Sequence, residues 1–235
     1  MKILIATPVS NKFFREAKGY FECIKGLKNR KYKIKIGFAT ENRKIIPLLN
    51  KYSKKYKIPI KTIYFKDNHN KMKNISMSRE LLRKYFLSAN FDYFFSLDSD
   101  IIMNEKTLEN MLNAAKKFDI VINAYPEANK NFRSLVVSGL GCTIINKKTL
   151  KKVKFEISTN PEERPFFQQV FKNKLKYITG IFGPTKHRNL IVKRNSLNFL
   201  EKAKFKIFVI TCNLRIAKLY HFFICKFKIR ELLKL

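Results

Sequence analysis

The sequence predicts an α/β protein built on a mostly parallel sheet with helices on its faces. Short apolar segments of strand length alternate along the chain with longer segments that have helical periodicity. The strand segments are apolar on both faces, which is typical of parallel strands buried between helices. With 46% hydrophobic residues and only 7 Gly and 7 Pro among 235 residues, the chain can form one large core and has little linker sequence.

The first half of the chain predicts four strands and three helices. The strands are expected at residues 2–6, 33–39, 60–65 and 94–97. The helices are expected at residues 13–30 and 45–56, and from a cap at Ser76 or Ser78 to residue 89. Because strand and helix alternate, the strands should be parallel and joined by crossover helices.

The second half predicts three further strands and two helices. In chain order they are a helix at 105–117, a strand at 119–124, a strand at 140–146, a helix at 161–172 and a strand at 177–181. A polar loop is expected after the strand at 119–124 and extends to Arg133. A second loop, which contains a Gly-Pro pair, is expected after the strand at 177–181 and ends around His187.

Three polar or charged residues lie where predicted strands end. Thr7 follows the first strand, Glu41 the second and Asp98 the fourth. In open sheets of this type, ligands bind beyond the carboxyl ends of the strands. These residues are therefore expected to line one crevice.

Asp98 and Asp100 are the strongest candidates for a functional site. They directly follow an aromatic strand, and a turn at its end can bring both carboxylates to one point. Two carboxylates this close raise each other's pKa unless a cation lies between them. Oxygen ligands of this kind suit Mg²⁺ or Mn²⁺ bound with substrate phosphates. The alternative is an ordinary polar turn, in which Asp and Ser are common.

The chain is strongly basic, with 50 Lys and Arg against 17 Asp and Glu and a formal net charge of +33. Such a charge attracts polyanions, including nucleic acids, anionic lipids and sugar nucleotides. The abundance of Lys, Ile, Asn, Phe and Tyr is also what an AT-rich genome encodes, so codon bias is an alternative explanation. The basic residues are spread throughout and accompany no nucleic-acid-binding signature, so no nucleic-acid partner is expected.

The cysteines and the lengths of the apolar segments indicate where in the cell the protein is located. Cys23, Cys142, Cys212 and Cys225 are far apart, which predicts reduced thiols rather than a zinc site or disulfide framework. The N-terminal apolar segment is too short for a signal peptide. No segment reaches about 18 uninterrupted apolar residues, so no transmembrane helix is predicted. A cytoplasmic location is expected.

One set of residues carries a resemblance to a known family. Arg79 lies on the helix before the strand that ends in Asp98-Ser99-Asp100, and His187 follows the last predicted strand. In these features the chain resembles the Rossmann-like GT-A class of nucleotide-sugar glycosyltransferases. It is most similar to the large inverting family that includes polysaccharide synthases and dolichyl-phosphate mannose synthases. The resemblance covers roughly residues 1–187, and residues 1–192 are taken as a GT-A catalytic domain.

Two further segments resemble parts of the same family. The strand that follows Gly139 is similar to the acceptor-side strand, and Glu162-Glu163 with Phe166 is similar to an acidic pair followed by an aromatic residue. The family usually has Glu-Asp or Asp-Asp, so Glu163 is a departure. The segment around Glu41 also departs from the commoner serine-rich or acidic pattern after the second strand.

The resemblance implies a hexosyltransferase-like enzyme that uses a nucleoside diphosphate sugar. The nucleoside would be held by Thr7, Pro8 and Glu41, and Arg79 would lie near the diphosphate. The substrate-binding residues as a whole would be Thr7, Pro8, Glu41, Arg79, Asp98, Ser99 and Gly141.

The resemblance also implies a metal site and a catalytic base. Asp98, Asp100 and His187 would hold Mn²⁺ or Mg²⁺, with Asp98 contacting the ribose or metal-bound water. Glu163, or its neighbour Glu162, would deprotonate the hydroxyl of a glycan or lipid-linked acceptor. Attack on the anomeric carbon from the opposite face would invert its configuration.

Residues 193–235 differ in character and predict a basic amphipathic helical tail. On a helix, Arg215, Lys218, Lys226 and Arg230 would share one sector of about 120°, with mostly apolar residues around the rest. Such a tail is expected to lie in an anionic membrane surface, which would make the protein peripheral on the inner face of the cell membrane. Packing against the catalytic domain or a partner subunit is the alternative.

Three other functions remain as alternatives. A haloacid-dehalogenase-type phosphatase also has Asp-x-Asp after a strand, but that strand normally comes first, whereas three predicted strands precede Asp98. A nucleotidyltransferase would share the sheet and the carboxylates, but its usual glycine-rich loop near the first strand is missing. A basic nucleic-acid-binding protein is the interpretation that the charge alone would give.

Overall fold

A seven-stranded mixed sheet organises the residues described by the computed structural model, which are 1–10, 13–27, 31–126, 135–136, 139–159, 163–183 and 185–187. The strands are β1 (Lys2–Pro8), β2 (Lys33–Thr40), β3 (Ile60–Tyr64), β4 (Tyr93–Leu97), β5 (Ile101–Met103), β6 (Ile120–Asn123), β7 (Tyr125–Pro126), β8 (Leu135–Val136), β9 (Cys142–Asn146), β10 (Tyr177–Gly180) and β11 (Thr185–His187). The predicted tail, residues 193–235, lies outside the described residues.

Six α-helices are described. They are α1 (Phe13–Leu27), α2 (Ile46–Tyr56), α3 (Lys71–Ser88), α4 (Glu105–Ala114), α5 (Lys147–Lys152) and α6 (Glu163–Lys172). A short 3-10 helix, Arg43–Ile45, precedes α2. No helix in the described ranges is both long and apolar enough to cross a membrane.

The sheet has the strand order β10-β6-β9-β4-β1-β2-β3, and β4 lies near its middle. The pairs β1–β2, β2–β3, β1–β4 and β6–β10 are parallel. Only β9 runs the other way, antiparallel to both β4 and β6. This arrangement confirms the predicted α/β fold with a mostly parallel sheet.

Each face of the sheet carries its own hydrophobic core. Along β1, Ile3 and Ile5 join the cluster beneath α1, α2 and α4, while Leu4 and Ala6 join the cluster beneath α3, α5 and α6. All four side chains are fully buried. Burial on alternate sides explains why this strand is apolar throughout.

The start of α3 corrects the sequence-based prediction. The helix begins at Lys71, and its N-cap is Asn70, whose side chain accepts a hydrogen bond from Lys73 N at 3.0 Å. Ser76 and Ser78, which were expected to cap this helix, are buried inside it. An asparagine caps as well as a serine, so the preceding polar segment contained the stronger signal.

Several short elements were not predicted. The strands β5 and β11 form a separate antiparallel pair, as do β7 and β8. The helix α5 follows β9 directly because Asn146 ends the strand and also caps the helix, accepting a hydrogen bond from Thr149 N at 2.8 Å. Elements this short carry little periodic signal.

Candidate active site

The Asp98-Ser99-Asp100 segment forms a turn between β4 and β5. Asp98 N donates to Gly141 O at 2.8 Å, and Ile101 N donates to Asp98 O at 3.1 Å, which closes the turn. The side chains of Asp98 and Asp100 are partly exposed, whereas Leu97 before them is fully buried. The structure therefore brings both carboxylates to the carboxyl end of a central strand, and the main chain of Gly141 supports them.

Arg79 provides a fixed positive charge beside this turn. Its Nη2 lies 2.6 Å from Asp98 Oδ1, and its Nε donates to Ser96 Oγ at 3.1 Å. The Arg79 side chain is only 3% exposed, while that of Asp98 is 37% exposed. The guanidinium group is thus held between Ser96 of β4 and Asp98, and the Asp98 carboxylate stays partly exposed to solvent.

Thr7 lies near the carboxyl end of β1, the strand that pairs with β4. It is fully buried, and its Oγ1 is hydrogen-bonded to Tyr20 OH at 2.5 Å. Burial raises the pKa of Tyr20 far above its ordinary value, and the negative charge of Asp98 acts in the same direction. Burial and the same Asp98 charge raise the pKa of Cys142. The contact of Thr7 with a nucleoside stays a prediction, and because the Thr7 side chain is fully buried, that contact would be through its main chain.

A second acidic region follows β2 and β3. Burial raises the pKa of Glu41, and the nearby negative charge of Asp67 raises it further. The pKa of Asp67 is lowered because its carboxylate accepts hydrogen bonds from the Asn74 side chain and from His69 N. Sequence reasoning missed Asp67, although its position just after the third predicted strand was an available signal. Pro8, at the end of β1, is partly exposed.

The main chain of His187 lies next to the turn. β11 pairs antiparallel with β5, and His187 is opposite Ile101, the residue that follows Asp100. The segment before β11 is held by Asn123, whose side chain accepts from Phe182 N at 2.8 Å and donates to Thr185 Oγ1 at 3.2 Å. Asn123 is fully buried, and sequence reasoning also missed it.

Glu163 is the first residue of α6 and is partly buried, whereas Glu162 lies outside the described residues. The position of α6 follows from the next strand. β10 is parallel to β6, and Asp119 N donates to Lys176 O at 2.7 Å at the amino end of both strands. The chain leaves α6 at the amino end of β10. The N-terminus of α6 is therefore directed towards the opposite edge of the sheet, where the parallel strands have their carboxyl ends and where Asp98 lies.

The two carboxylates fit a hard divalent cation. Within the described ranges, no cluster of three or more His, Cys, Asp or Glu residues capable of holding a metal is present. Mg²⁺ is usually bound through one or two protein carboxylates together with substrate phosphates and water. Asp98 and Asp100 are sufficient as the protein's share of such a site, provided that the phosphates come from a ligand.

Comparison with known proteins bears on the fold. No protein-family model matches the sequence, and no curated protein matches it significantly. Among solved structures, the chain is similar to S. aureus TarS 1–349, with 15% identity and a TM-score of 0.54 over 76% of this chain and 58% of that one. It is also similar to the mannosyltransferase PcManGT of Pyrobaculum calidifontis, with 11% identity and a TM-score of 0.56 over 76% and 54%. The chain has a GT-A fold.

A third comparison covers slightly more of the chain. A mycobacterial protein matches with 12% identity and a TM-score of 0.55, over 80% of this chain and 67% of that one. The chain spans little more than half the length of the TarS and PcManGT structures. These comparisons confirm the predicted GT-A architecture.

Proposed function

We propose that this GT-A protein transfers a hexose from a nucleoside diphosphate sugar to a hydroxyl group of a glycan or lipid-linked acceptor. The observation that carries the proposal is the Asp98–Asp100 turn at the carboxyl end of β4, with Arg79 bound to Asp98. Two structural neighbours support it: TarS was crystallised with UDP-GlcNAc, and PcManGT with GDP-Man and Mn²⁺.

The donor would occupy the crevice along the carboxyl ends of β1, β2 and β4. Glu41 and the main chain around Thr7 and Pro8 would hold the nucleoside, while Ser99 and Gly141 would border the sugar. Arg79 would interact with the diphosphate, since a guanidinium group held on two sides can form charge-assisted hydrogen bonds without much loss of entropy.

Asp98, Asp100 and His187 are proposed to hold Mn²⁺ or Mg²⁺. The ion would stabilise the negative charge that grows on the departing nucleoside diphosphate. Asp98 would also orient the ribose or a water molecule of the ion's shell.

Glu163, with Glu162 as the alternative, is proposed as the base that accepts the proton of the acceptor hydroxyl. Glu163 is the first residue of α6 and is partly buried, and a carboxylate within hydrogen-bond reach of the acceptor can accept its proton. The hydroxyl would attack the anomeric carbon opposite the leaving diphosphate, so the product would have inverted configuration.

A donor panel tests the proposal. Purified protein is incubated with UDP- and GDP-sugars, Mn²⁺ and alkyl glycoside acceptors, and release of nucleoside diphosphate is measured. Release should require the ion and should be lost in Asp100→Asn. Glu109→Gln serves as the control, since Glu109 lies on α4 and pairs with the exposed Lys31, away from the Asp98–Asp100 turn. Full release in EDTA together with full activity of Asp100→Asn would contradict the proposal.

We further propose that residues 193–235 attach the protein to an anionic membrane surface. The support is in the sequence, where Arg215, Lys218, Lys226 and Arg230 would share one sector of a helix whose other positions are mostly apolar. Attachment by charge should weaken with salt, because the screening length falls to about 3 Å at 1 M, and complete release should need detergent. A full-length protein that does not bind anionic liposomes at low salt would exclude this role.

A further inference from the structure

A buried ion pair lies on α3, next to Arg79. Arg83 Nε is 2.8 Å from Glu80 Oε2, and Arg83 Nη2 is 2.8 Å from Glu80 Oε1, so the pair is bidentate. The side chains are 8% exposed for Arg83 and 11% for Glu80. Burial of two charges is costly, and apolar side chains of similar size often give equal or greater stability. The pair therefore requires an explanation beyond stability.

Both members of the pair also bind the chain outside α3. Arg83 Nη1 donates to Leu150 O at 2.6 Å, and Phe155 N donates to Glu80 Oε2 at 3.1 Å. The first contact is with α5, and the second is with residues 153–155, called here the bridge segment. Apolar side chains could fill this space but could not form these two directed bonds.

The bridge segment is in turn bound to α6. Gln169 Oε1 accepts from Lys154 N at 2.9 Å, and Gln169 Nε2 donates to Lys154 O at 3.1 Å. The ring of Phe155 stacks on that of Phe166, with centroids 5.1 Å apart and an interplanar angle of 11°. A continuous set of contacts thus runs from α3 through the bridge segment to α6.

The two ends of this set carry different parts of the candidate site. Arg79, adjacent to Glu80, contacts Asp98 on the donor side. Glu163, three residues before Phe166, is the candidate base on the acceptor side. We propose that Glu80 and Arg83 are positioning residues that fix the helix of the base relative to Arg79 and Asp98. This inference rests on the proposed function, since it assigns the two helices to donor and acceptor.

The test removes the directed bonds without leaving a buried charge. In Glu80→Leu combined with Arg83→Met, donor affinity should stay within about threefold of wild type, because Arg79 and Asp98 keep their contacts. Transfer to an alkyl glycoside should fall about 10- to 100-fold, since a displacement of about 1 Å can have an effect of this size. Glu80→Gln keeps an oxygen for Phe155 N and Arg83 Nε but leaves the buried Arg83 charge without a carboxylate, so it should keep more of the transfer rate than the double variant while lowering the free energy of unfolding.

Leu49→Ala is the matched control. Leu49 is buried in the core on the other face of the sheet, so its truncation lowers stability without touching the bridge segment. Hydrogen exchange of the α6 amides should accelerate in the double variant at matched stability, but not in Leu49→Ala. The proposal is overturned if the double variant loses donor binding and transfer to the same extent, as a protein that is merely destabilised would. It is also overturned if the double variant leaves both the transfer rate and the exchange of the α6 amides unchanged.

Failure of the proposed function has a different signature. In that case wild-type protein would transfer no sugar with any donor, and the exchange measurement alone would still report whether the pair holds α6. If the α6 amides exchange faster in the double variant but the wild-type protein transfers no sugar, the ion pair holds α6 in place without a catalytic purpose. The positioning role would then be overturned.

Discussion

Replacing Arg79 with Met is expected to tighten Mn²⁺ binding to the free protein while it weakens binding of the sugar nucleotide. In the structure, Arg79 Nη2 is 2.6 Å from Asp98 Oδ1, so the guanidinium group already occupies part of the space near the carboxylates that a cation would use. A metal ion that binds Asp98 must compete with this charge. Removal of the charge should therefore favour the ion.

The size of the effect follows from distance and exposure. Two unit charges about 4 Å apart interact by roughly 4 kcal/mol at an effective dielectric constant of 20. Because the Asp98 side chain is 37% exposed, solvent screens much of this energy. An effect of about 1–2 kcal/mol remains, which corresponds to roughly tenfold tighter Mn²⁺ binding.

The same substitution should weaken binding of the sugar nucleotide and lower the stability of the protein. The sugar nucleotide would lose a charge-assisted hydrogen bond worth about 1.5–3 kcal/mol, so its affinity should fall about 10- to 100-fold. The Ser96 hydroxyl, which is fully buried, would lose its Arg79 partner, and the free energy of unfolding should fall by about 1–3 kcal/mol. Metal affinity and donor affinity are therefore predicted to change in opposite directions.

Calorimetric titration of the free protein, first with Mn²⁺ and then with a UDP- or GDP-sugar, measures both affinities. Arg79→Lys is the matched control: it keeps the charge but lacks the planar group that reaches both Ser96 and Asp98. Its Mn²⁺ affinity should stay close to that of wild type. If Arg79→Met binds Mn²⁺ more weakly than wild type, Arg79 organises the carboxylates rather than competing for them, and the reasoning is refuted.

Three further predictions concern the base, the nucleoside crevice and the turn. Glu163→Gln should lower transfer by about 10²–10⁴-fold with donor binding intact, and an unchanged rate would move the role elsewhere. Because burial raises the pKa of Glu41, nucleotide affinity should fall as the pH drops through that raised pKa and stay flat above it. This dependence should vanish in Glu41→Gln. A methyl group at Gly183 would overlap Thr107, so Gly183→Ala should displace β11, which carries His187. Mn²⁺ binding should then weaken about tenfold. Gly26→Ala is the control, because a methyl group there meets open space and should leave Mn²⁺ binding unchanged.

The sequence predicted the sheet and the turn because both depend on local patterns. Apolar segments followed by polar breaks predicted all seven strands of the main sheet, and Asp98 and Asp100 were recognised from their place after β4. The reversed direction of β9 was not predicted, since it depends on pairing with β4 and β6, which are distant in sequence. Strand direction is a property of the assembled sheet.

Polar residues that are buried were the hardest to predict. Arg83 and Asn123 are residue types that usually lie on the surface. Only the structure shows that Arg83 binds the main chain of Leu150 and that Asn123 binds the main chain of Phe182. For Arg83 a weak signal existed, because it lies four residues after Arg79 and next to the apolar Leu82, on the side of α3 that packs on the sheet. Such spacing indicates a face of the helix but not the partner of each side chain.

The distribution of acidic residues favours the metal and nucleotide interpretation over general attraction of polyanions. Codon bias can increase the number of lysines, but it does not select the positions of the few carboxylates. Asp92 and Asp119 accept hydrogen bonds from the main-chain N–H groups of Lys2 and Lys176 at the amino end of the sheet, which is a structural use. At the carboxyl end, by contrast, Asp98 and Asp100 lie together on one turn. Two carboxylates on one turn would oppose the binding of a polyanion by charge alone, whereas a divalent cation shared with a diphosphate is usually bound through one or two carboxylates, as we propose for this turn.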